Sequence, residues 1–405
     1  MRLAVVSPFL DRRHGTELCL VEQIERLANR DHWQIHLYSQ RVEQVEGVRS
    51  AKKPFDRHGE GIFWQEISDI PGPHLLKYGW WFIANQWRRK RDRRSGEVIV
   101  DLVYSPGINC MDADVIVVHI LFREFYEKVR SQLDLRRVPL LTWPLILHRK
   151  LYYKLAIALE DRIYRDSRVH LIAVSSRIAA GLKDHFGRTD VTLIPNSTDI
   201  RRFNPESRRD RRDESRKHFG FSNGDFVILF IGNDWKKKGL DALLRACATI
   251  TEIPWRLLVV GSDDINLYKT FLQQAELRDR VKFETPSADV AAFYAAADLY
   301  ISPSLEDAFG LPILEAMACG LPVIASIQAG ATENIRDGET GVLLQDPCEH
   351  AEIAQKVRLF FSDGKLREKM GEAAAEYAQA NCGWDQNACK TRETLEAALL
   401  DRRRR

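Results

Sequence analysis

Three carboxylates crowd one short stretch, SPSLEDAFGLPILEAMACG, residues 302–320: Glu306, Asp307 and Glu315. It follows an apolar run, LYIS, that reads as a strand. Pro312 suits the first turn of a helix. The N–H groups of Phe309, Gly310 and Leu311 then open that helix, unspent by intrahelical bonds and able to meet an anion or a sugar oxygen. Gly310 has no Cβ to block the approach. Glu315, a turn further in, could accept two hydrogen bonds from a ribose diol, with the helix dipole keeping it ionised. An acid in the loop could reach hexose hydroxyls. Ordinary electrostatics at a helix start would use the same residue types.

A second cluster is cationic. In IGNDWKKKGLDALL an apolar strand ends at Gly232, Asn233 begins a polar turn, and a helix starts near Gly239. Lys236, Lys237 and Lys238 sit in that turn, where lysines beside helix N–H groups make a diphosphate cradle. A solvated charged turn is the plainer alternative. The P-loop pattern, which needs Ser or Thr after its lysine, is not met, and no GxGxxG argues for a dinucleotide oxidoreductase. His119 follows DVIVV at a strand's carboxyl end, where a neutral imidazole could bond a hydroxyl; a satisfied half-buried histidine would look the same. The DAD of residues 112–114 reads as a turn.

These groups need elements to hold them. RLAVVS, TELCLVEQIERLANR and QIHLYS form a strand–helix–strand unit from residue 2. DLVYSP, DVIVVHIL and VHLIAVSS are further strands of the first half. A second series starts near residue 226: FVILFIG, WRLLVVG, VKFET, LYISPS and PVIAS alternate with helical segments. The fold class is therefore α/β, with two doubly wound parallel sheets covered by helices. The first domain takes 1–195, a charged linker or hinge 196–220, and the second domain 221–380. A closing helix, 381–405, is expected to pack back on the first domain, with DRRRR as a frayed tail. Two such domains leave a cleft at the carboxyl ends of their strands.

Length and composition agree. The chain has 405 residues, which suits two domains of roughly 150–200 residues. Hydrophobic residues make up 45% and charged ones 29%, a globular balance, and the net charge of +3 points to no partner by itself. Seven cysteines, none in a CxxC pair, fit neither a disulfide framework nor a zinc site; they read as reduced thiols in a cytoplasmic protein. No stretch reaches the roughly 18–20 apolar residues of a spanning helix. MRLAVVSPFLDRR reads as a buried strand, not a secretory signal.

At this point the motifs carry a family likeness. PSLEDAFGLPILEAMACGLPVIAS resembles the C-terminal signature of the retaining GT-B glycosyltransferases of family 4, the glycosyl transferases group 1. PNSTDIRRFNP is similar to that family's interdomain segment, IGNDWKKKG to its phosphate loop, and HGTELCLVEQIERLA to its first Gly-rich loop and helix. The likeness covers roughly residues 1–390 and is most specific in the second half. It implies a GT-B fold, two Rossmann-like domains facing a cleft, with the first on the acceptor side and the second binding a nucleotide-sugar. It further implies donor contacts at Gly232, Asn233, Lys237, Lys238, Asp307, Phe309, Gly310, Leu311 and Glu315, catalytic roles for Asp307, Lys238 and His119, and an acceptor-side loop at His14 and Gly15.

The family spaces two acids with seven residues between them. Counting back from Glu315 reaches Asp307, and one residue of shift turns Glu306 to the other side. Aspartate replaces the family's usual glutamate here. Asn233 stands where arginine is common, which leaves the diphosphate charge to Lys237 and Lys238. His14-Gly15 replaces a glycine pair, and Ser197 replaces the glycine of PNG.

The implied reaction moves a sugar, from a UDP-linked hexose or GDP-mannose, to a glycan or lipid-linked acceptor of the cell envelope. Anomeric configuration is retained. Lysines and loop N–H groups stabilise the leaving diphosphate, so neither a cofactor nor a metal is expected. The lipopolysaccharide-core enzymes are similar. A non-catalytic glycosyltransferase-like subunit and a GT-B nucleotide-sugar epimerase remain alternatives.

One stretch points outside this chemistry. LLKYGWWFIANQWRRKRDRR opens on Leu75 with aliphatic and aromatic residues and ends on Arg94, with six basic residues among the last seven. LLTWPLILHRKLYYK, from Leu140, repeats the mixture. Interfacial helices on anionic lipid have this composition, and a core helix with a solvated basic end would share it. The expectation is a cytoplasmic protein peripheral on the inner face of the membrane. No nucleic-acid partner is expected, because no such module is present.

Overall fold

The protein was analysed as a computed structural model, which describes residues 1–50, 59–130, 133–134 and 139–404. It divides into two compact units. One comprises Met1–Pro195 with Asn387–Arg405, the other Asn196–Gln386.

The first unit is built on an eight-stranded sheet in which every pairing is parallel. From one edge its strands are Val191–Leu193, His170–Ala173, Val115–Val118, Leu102–Pro106, Arg2–Val6, Gln34–Ser39, Gly61–Glu66 and Val48–Ser50. The central strands are buried on both faces, which explains their unbroken apolar runs. Helices α1 (Gly15–Asn29), α2 (His74–Ser95), α3 (Phe122–Val129), α4 (Trp143–Tyr164) and α5 (Ser176–Phe186) belong to this unit. The strand over 61–66 and the edge strands over 48–50 and 191–193 add to those read from sequence.

The second unit holds a six-stranded sheet, again parallel at every pair. In spatial order its strands are Val281–Glu284, Trp255–Val260, Phe226–Ile231, Leu299–Ser302, Val323–Ser326 and Val342–Leu344. Ranked along the chain, the first and fourth of these strands lie side by side. That arrangement is the Rossmann order, and ligands bind where it reverses direction. Its helices are α6 (Pro205–Phe219), α7 (Leu240–Ala248), α8 (Asn266–Gln274), α9 (Ala291–Ala296), α10 (Leu311–Ala318), α11 (His350–Ser362) and α12 (Gly364–Asn381). The last helix, α13 (Trp384–Arg404), contributes its residues from Asn387 onward to the first unit.

Two expectations need correction. The stretch 196–220, read as a linker for its charge, contains α6 and lies within the second unit. Its arginines do not simply face water: Arg208 and Arg212 donate to the Ala297 carbonyl at 2.8 and 3.0 Å, and Arg212 pairs with Asp298 at 2.6 Å. The tail read as frayed is helical to Arg404, because Arg402 donates to the Asp101 carbonyl at 2.9 Å and pairs with Asp114 at 2.8 Å. Arg405 lies outside the described residues.

Candidate active site

The second unit places its charged loops at the sheet's switch point. One loop leaves the strand Phe226–Ile231, the other leaves its neighbour Leu299–Ser302. The lysine loop is a closed turn. Lys238 N–H donates to the Asp234 carbonyl at 3.0 Å and Leu240 N–H to that of Trp235 at 3.0 Å. Trp235 anchors the turn by burying its ring against Tyr268 and Phe283. The Asp263 carboxylate accepts from the Asp234 N–H at 3.0 Å and from the Trp235 N–H. Asn233 is occupied in the same way: its Oδ1 accepts from the Ser262 N–H at 3.0 Å and hydroxyl at 2.9 Å. Asn233 thus braces the neighbouring turn after Gly261.

Gly239 ends the turn at φ +81° and precedes α7. A Cβ there would stand 1.9 Å from the Pro303 carbonyl oxygen. The two loops are therefore in backbone contact, and the Leu305 N–H donates to the Lys237 carbonyl at 2.8 Å. This approach lets Lys238 Nζ donate to Asp307 Oδ2. Lys237, more exposed, pairs with Asp234 at 3.0 Å.

Asp307 is held from several sides. Its N–H donates to the Gln328 carbonyl at 3.2 Å, and it bridges to Ala329. Its Oδ1 accepts from the Phe309 N–H at 3.3 Å. That bond changes the reading of the loop: Phe309 N–H, expected to face a ligand, is turned to Asp307, and the Phe309 ring is buried. Gly310 and Leu311 remain at the opening of α10. Gly310 adopts φ +94°, and a Cβ there would press on Asp307 Oδ2 at 3.0 Å and Ile313 Cδ1 at 3.2 Å. Glu306 sits half-buried one residue earlier.

Glu315 lies on α10 and accepts from the Tyr294 hydroxyl at 2.6 Å through Oε2. Burial pushes its pKa up, against the opposing pull of the Tyr294 hydrogen bond and the charge of Arg202. Desolvation outweighs these favourable neighbours and acts against the expected pull of the helix dipole. Oε1 is the oxygen left to accept from a ligand. Tyr294 and Arg202 were not singled out from sequence. The one signal was a lone tyrosine in an alanine-rich helix, DVAAFYAAA.

The first unit holds the other candidates. His14 caps α1 and Gly15 begins it. Asp11 Oδ1 accepts from the N–H groups of Arg13 at 2.9 Å and His14 at 3.0 Å, and from His14 Nδ1 at 2.9 Å. Burial alone would raise the Asp11 pKa, but these bonds hold it below the usual value. His119 directly follows the strand Val115–Val118 and is half-exposed. Surrounding protein pushes its pKa down to about 4, so the imidazole is neutral near pH 7. Close by in the chain, the N–H groups of Phe122 and Arg123 donate to the buried Glu160 carboxylate at 2.6 and 3.0 Å. That ties the start of α3 to α4.

Among the described residues no group of three or more His, Cys, Asp or Glu is placed to hold a metal ion. All seven cysteines are free, and only Cys348 and Cys389 are exposed.

The family profile described as Glycosyl transferases group 1 matches residues 211–377, which include both charged loops of the second unit. The chain carries a glycosyl transferases group 1 domain. It is 34% identical over 252 residues to a D-inositol 3-phosphate glycosyltransferase of Pseudarthrobacter chlorophenolicus, covering 59% of this chain and 58% of that protein. The chain thus spans less than two thirds of that relative's length. Solved structures share the fold. WaaG, a glycosyltransferase involved in lipopolysaccharide biosynthesis, aligns over 98% of both chains with a TM-score of 0.75 and 19% identity. Anabaena Alr3699/HepE, solved with UDP and glucose, aligns over 98% of this chain and all of that one, with a TM-score of 0.70 and 20% identity. The fold is GT-B, with two Rossmann-like parallel-sheet domains.

Proposed function

We propose that the protein transfers a hexose from a nucleotide-sugar donor to a glycan or lipid-linked acceptor of the cell envelope, with retention of anomeric configuration, as a family 4 enzyme. The observation that carries this reading is the meeting of Lys238 and Asp307 at the switch point of a Rossmann sheet. A cation sits there beside a helix opening, where a diphosphate would be neutralised. Lys237 and Lys238 take the leaving diphosphate, assisted by the N–H groups of Gly310 and Leu311. Asp307 meets the sugar hydroxyls, and Glu315 Oε1 accepts from the ribose. Gly232 and Asn233 shape the turn that presents the lysines.

In the chemical step the bond from the anomeric carbon to the diphosphate oxygen breaks, and the acceptor oxygen bonds to that carbon on the same face. The acceptor's hydroxyl proton passes to the departing phosphate. The neutral His119 bonds a sugar hydroxyl, and the loop of His14 and Gly15 serves the acceptor side. A UDP-hexose is the favoured donor, supported by the UDP and glucose bound to Alr3699/HepE. WaaG's part in lipopolysaccharide biosynthesis supports an envelope acceptor. The D-inositol 3-phosphate glycosyltransferases make an inositol phosphate the second acceptor to try.

The test is a panel of UDP- and GDP-sugars, read by thermal shift and by donor hydrolysis. One donor should stabilise the protein and turn over slowly. Failure of every donor to bind would overturn the reading, and an epimeric sugar formed from donor alone, rather than simple hydrolysis, would favour an epimerase.

A further inference from the structure

Helix α2 is amphipathic the wrong way round for a helix in water. Its buried residues are Trp81, Asn85, Arg89 and Asp92, three of them polar. Each polar side chain finds a partner inside. Asn85 donates to the Asn109 carbonyl at 3.1 Å, Arg89 makes a two-pronged pair with Asp112 at 2.7 Å, and Asp92 accepts from the Tyr38 hydroxyl at 3.2 Å. The opposite face carries Leu76, Trp80, Ile83 and Trp87, spaced as one helical stripe. Ile83 is 66% exposed and Trp87 69%. Hydrogen-bonded polar groups are spent on the inner face while the apolar face is turned out.

Helix α4 repeats the pattern on its own outer side. Its buried stripe runs through Ile146, Tyr153, Ala156, Glu160 and Ile163. Leu147, Leu151 and Leu155, four residues apart, point away from it and are 51%, 57% and 37% exposed. The two helices are joined within the unit. The Leu75 N–H donates to His148 Nε2 at 3.2 Å, and the Tyr152 ring packs edge-on against His74 and Tyr78. An exposed apolar surface of this extent marks a binding face.

Charge selects the occupant. The sole acid of α2, Asp92, is buried, so its exposed face has no carboxylate. Beyond Trp87 the helix continues into exposed Lys90, Arg93 and Arg94, and exposed Lys154 flanks the α4 stripe. The basic run is smaller than the sequence implied, because Arg88 and Arg89 turn to Asp92 and Asp112. An apolar ridge edged by cations fits an anionic bilayer, where leucine and tryptophan enter the acyl boundary and lysine and arginine meet phosphates. No helix among the described residues is long and apolar enough to cross a membrane.

We propose that the outward faces of α2 and α4 dock the protein onto an anionic lipid bilayer. This names the surface on which a lipid-linked acceptor would be met, and it can hold or fail without the transfer reaction. The test is co-sedimentation of the full chain with vesicles of phosphatidylcholine alone or mixed with phosphatidylglycerol, with no donor present. Binding should need the anionic lipid and weaken with salt. The Ile83→Gln/Trp87→Gln variant should bind at least about tenfold more weakly, since two large apolar side chains leave the interface. Lys90→Gln/Arg94→Gln should lose the dependence on anionic lipid. Unchanged melting and circular dichroism show that each variant is folded. Absence of vesicle binding by the folded wild type would overturn the proposal. So would a wild-type dimer that Ile83→Gln/Trp87→Gln dissociates while vesicle binding stays the same, since the face would then cover a second copy. The donor panel reads the catalytic proposal separately.

Discussion

Lys238 and Asp307 stand 69 residues apart in sequence and meet as an ion pair between loops leaving adjacent parallel strands. Their side chains are 23% and 13% exposed, so the pair is largely withdrawn from water. Asp307 also anchors its loop through Gln328 and Phe309. Replacing it should remove a sugar contact and release the lysine from its set position. We expect Asp307→Ala to lower kcat by about 100-fold or more, and Glu306→Ala by less than about threefold. Steady-state kinetics on folded variants decides it. Equal losses would mean that the wrong acid has been assigned.

Glu315 and Tyr294 make a pH prediction. Burial lifts the Glu315 pKa, and the Tyr294 hydroxyl, by bonding the charged form, pulls it down. If ionised Glu315 receives the ribose, donor affinity falls as pH drops through that raised pKa. Tyr294→Phe removes the opposing pull, so its acid limb should move to higher pH. Donor binding by calorimetry across a pH series reads the shift. Coincident limbs in wild type and variant would remove Glu315 from the donor site.

Much of this was legible in the sequence, for identifiable reasons. Strands buried on both faces write unbroken apolar runs, and short turns separate them from helices, so the Rossmann alternation could be read directly. Counting from Glu315 singled out Asp307 because loop and helix are continuous in the chain. Tyr294 escaped because it reaches Glu315 from a separate helix, a relation that only tertiary packing creates. Helix α6 read as a linker because arginines bonded to carbonyls, such as Arg208 with Ala297, replace the apolar stripe that marks a helix. The basic end of α2 looks larger in sequence than in the fold for a related reason: Arg88 and Arg89 read as solvated and are paired with Asp92 and Asp112.

Gly239 offers a test of the loop contact itself. Its φ of +81° is strained for any L side chain, and a Cβ would overlap the Pro303 backbone, which cannot swing aside. Gly239→Ala should cost roughly 2–4 kcal/mol and separate the loops that bring Lys238 to Asp307. A lowered melting midpoint together with loss of donor-induced stabilisation is expected. A variant with unchanged melting and donor response would show that the loops tolerate separation.

Glu160 should leave a signature in stability against pH. It is fully buried, and burial pushes its pKa up to about 7 from 4.5, despite the N–H groups of Phe122 and Arg123 that favour the anion. The folded carboxyl therefore keeps its proton where the unfolded one has released it. Across pH 4.5 to 7 the folded state binds more protons, so this group's contribution to stability is greatest below that window and is lost as pH rises through it. The loss should approach about 3 kcal/mol. Glu160→Gln keeps one acceptor for the start of α3 and cannot titrate, so its stability should fall less steeply over the same range. Urea unfolding of both proteins at a series of pH values measures the difference. Parallel stability curves would mean that Glu160 is charged in the folded protein throughout, with its two backbone donors outweighing the cost of burial.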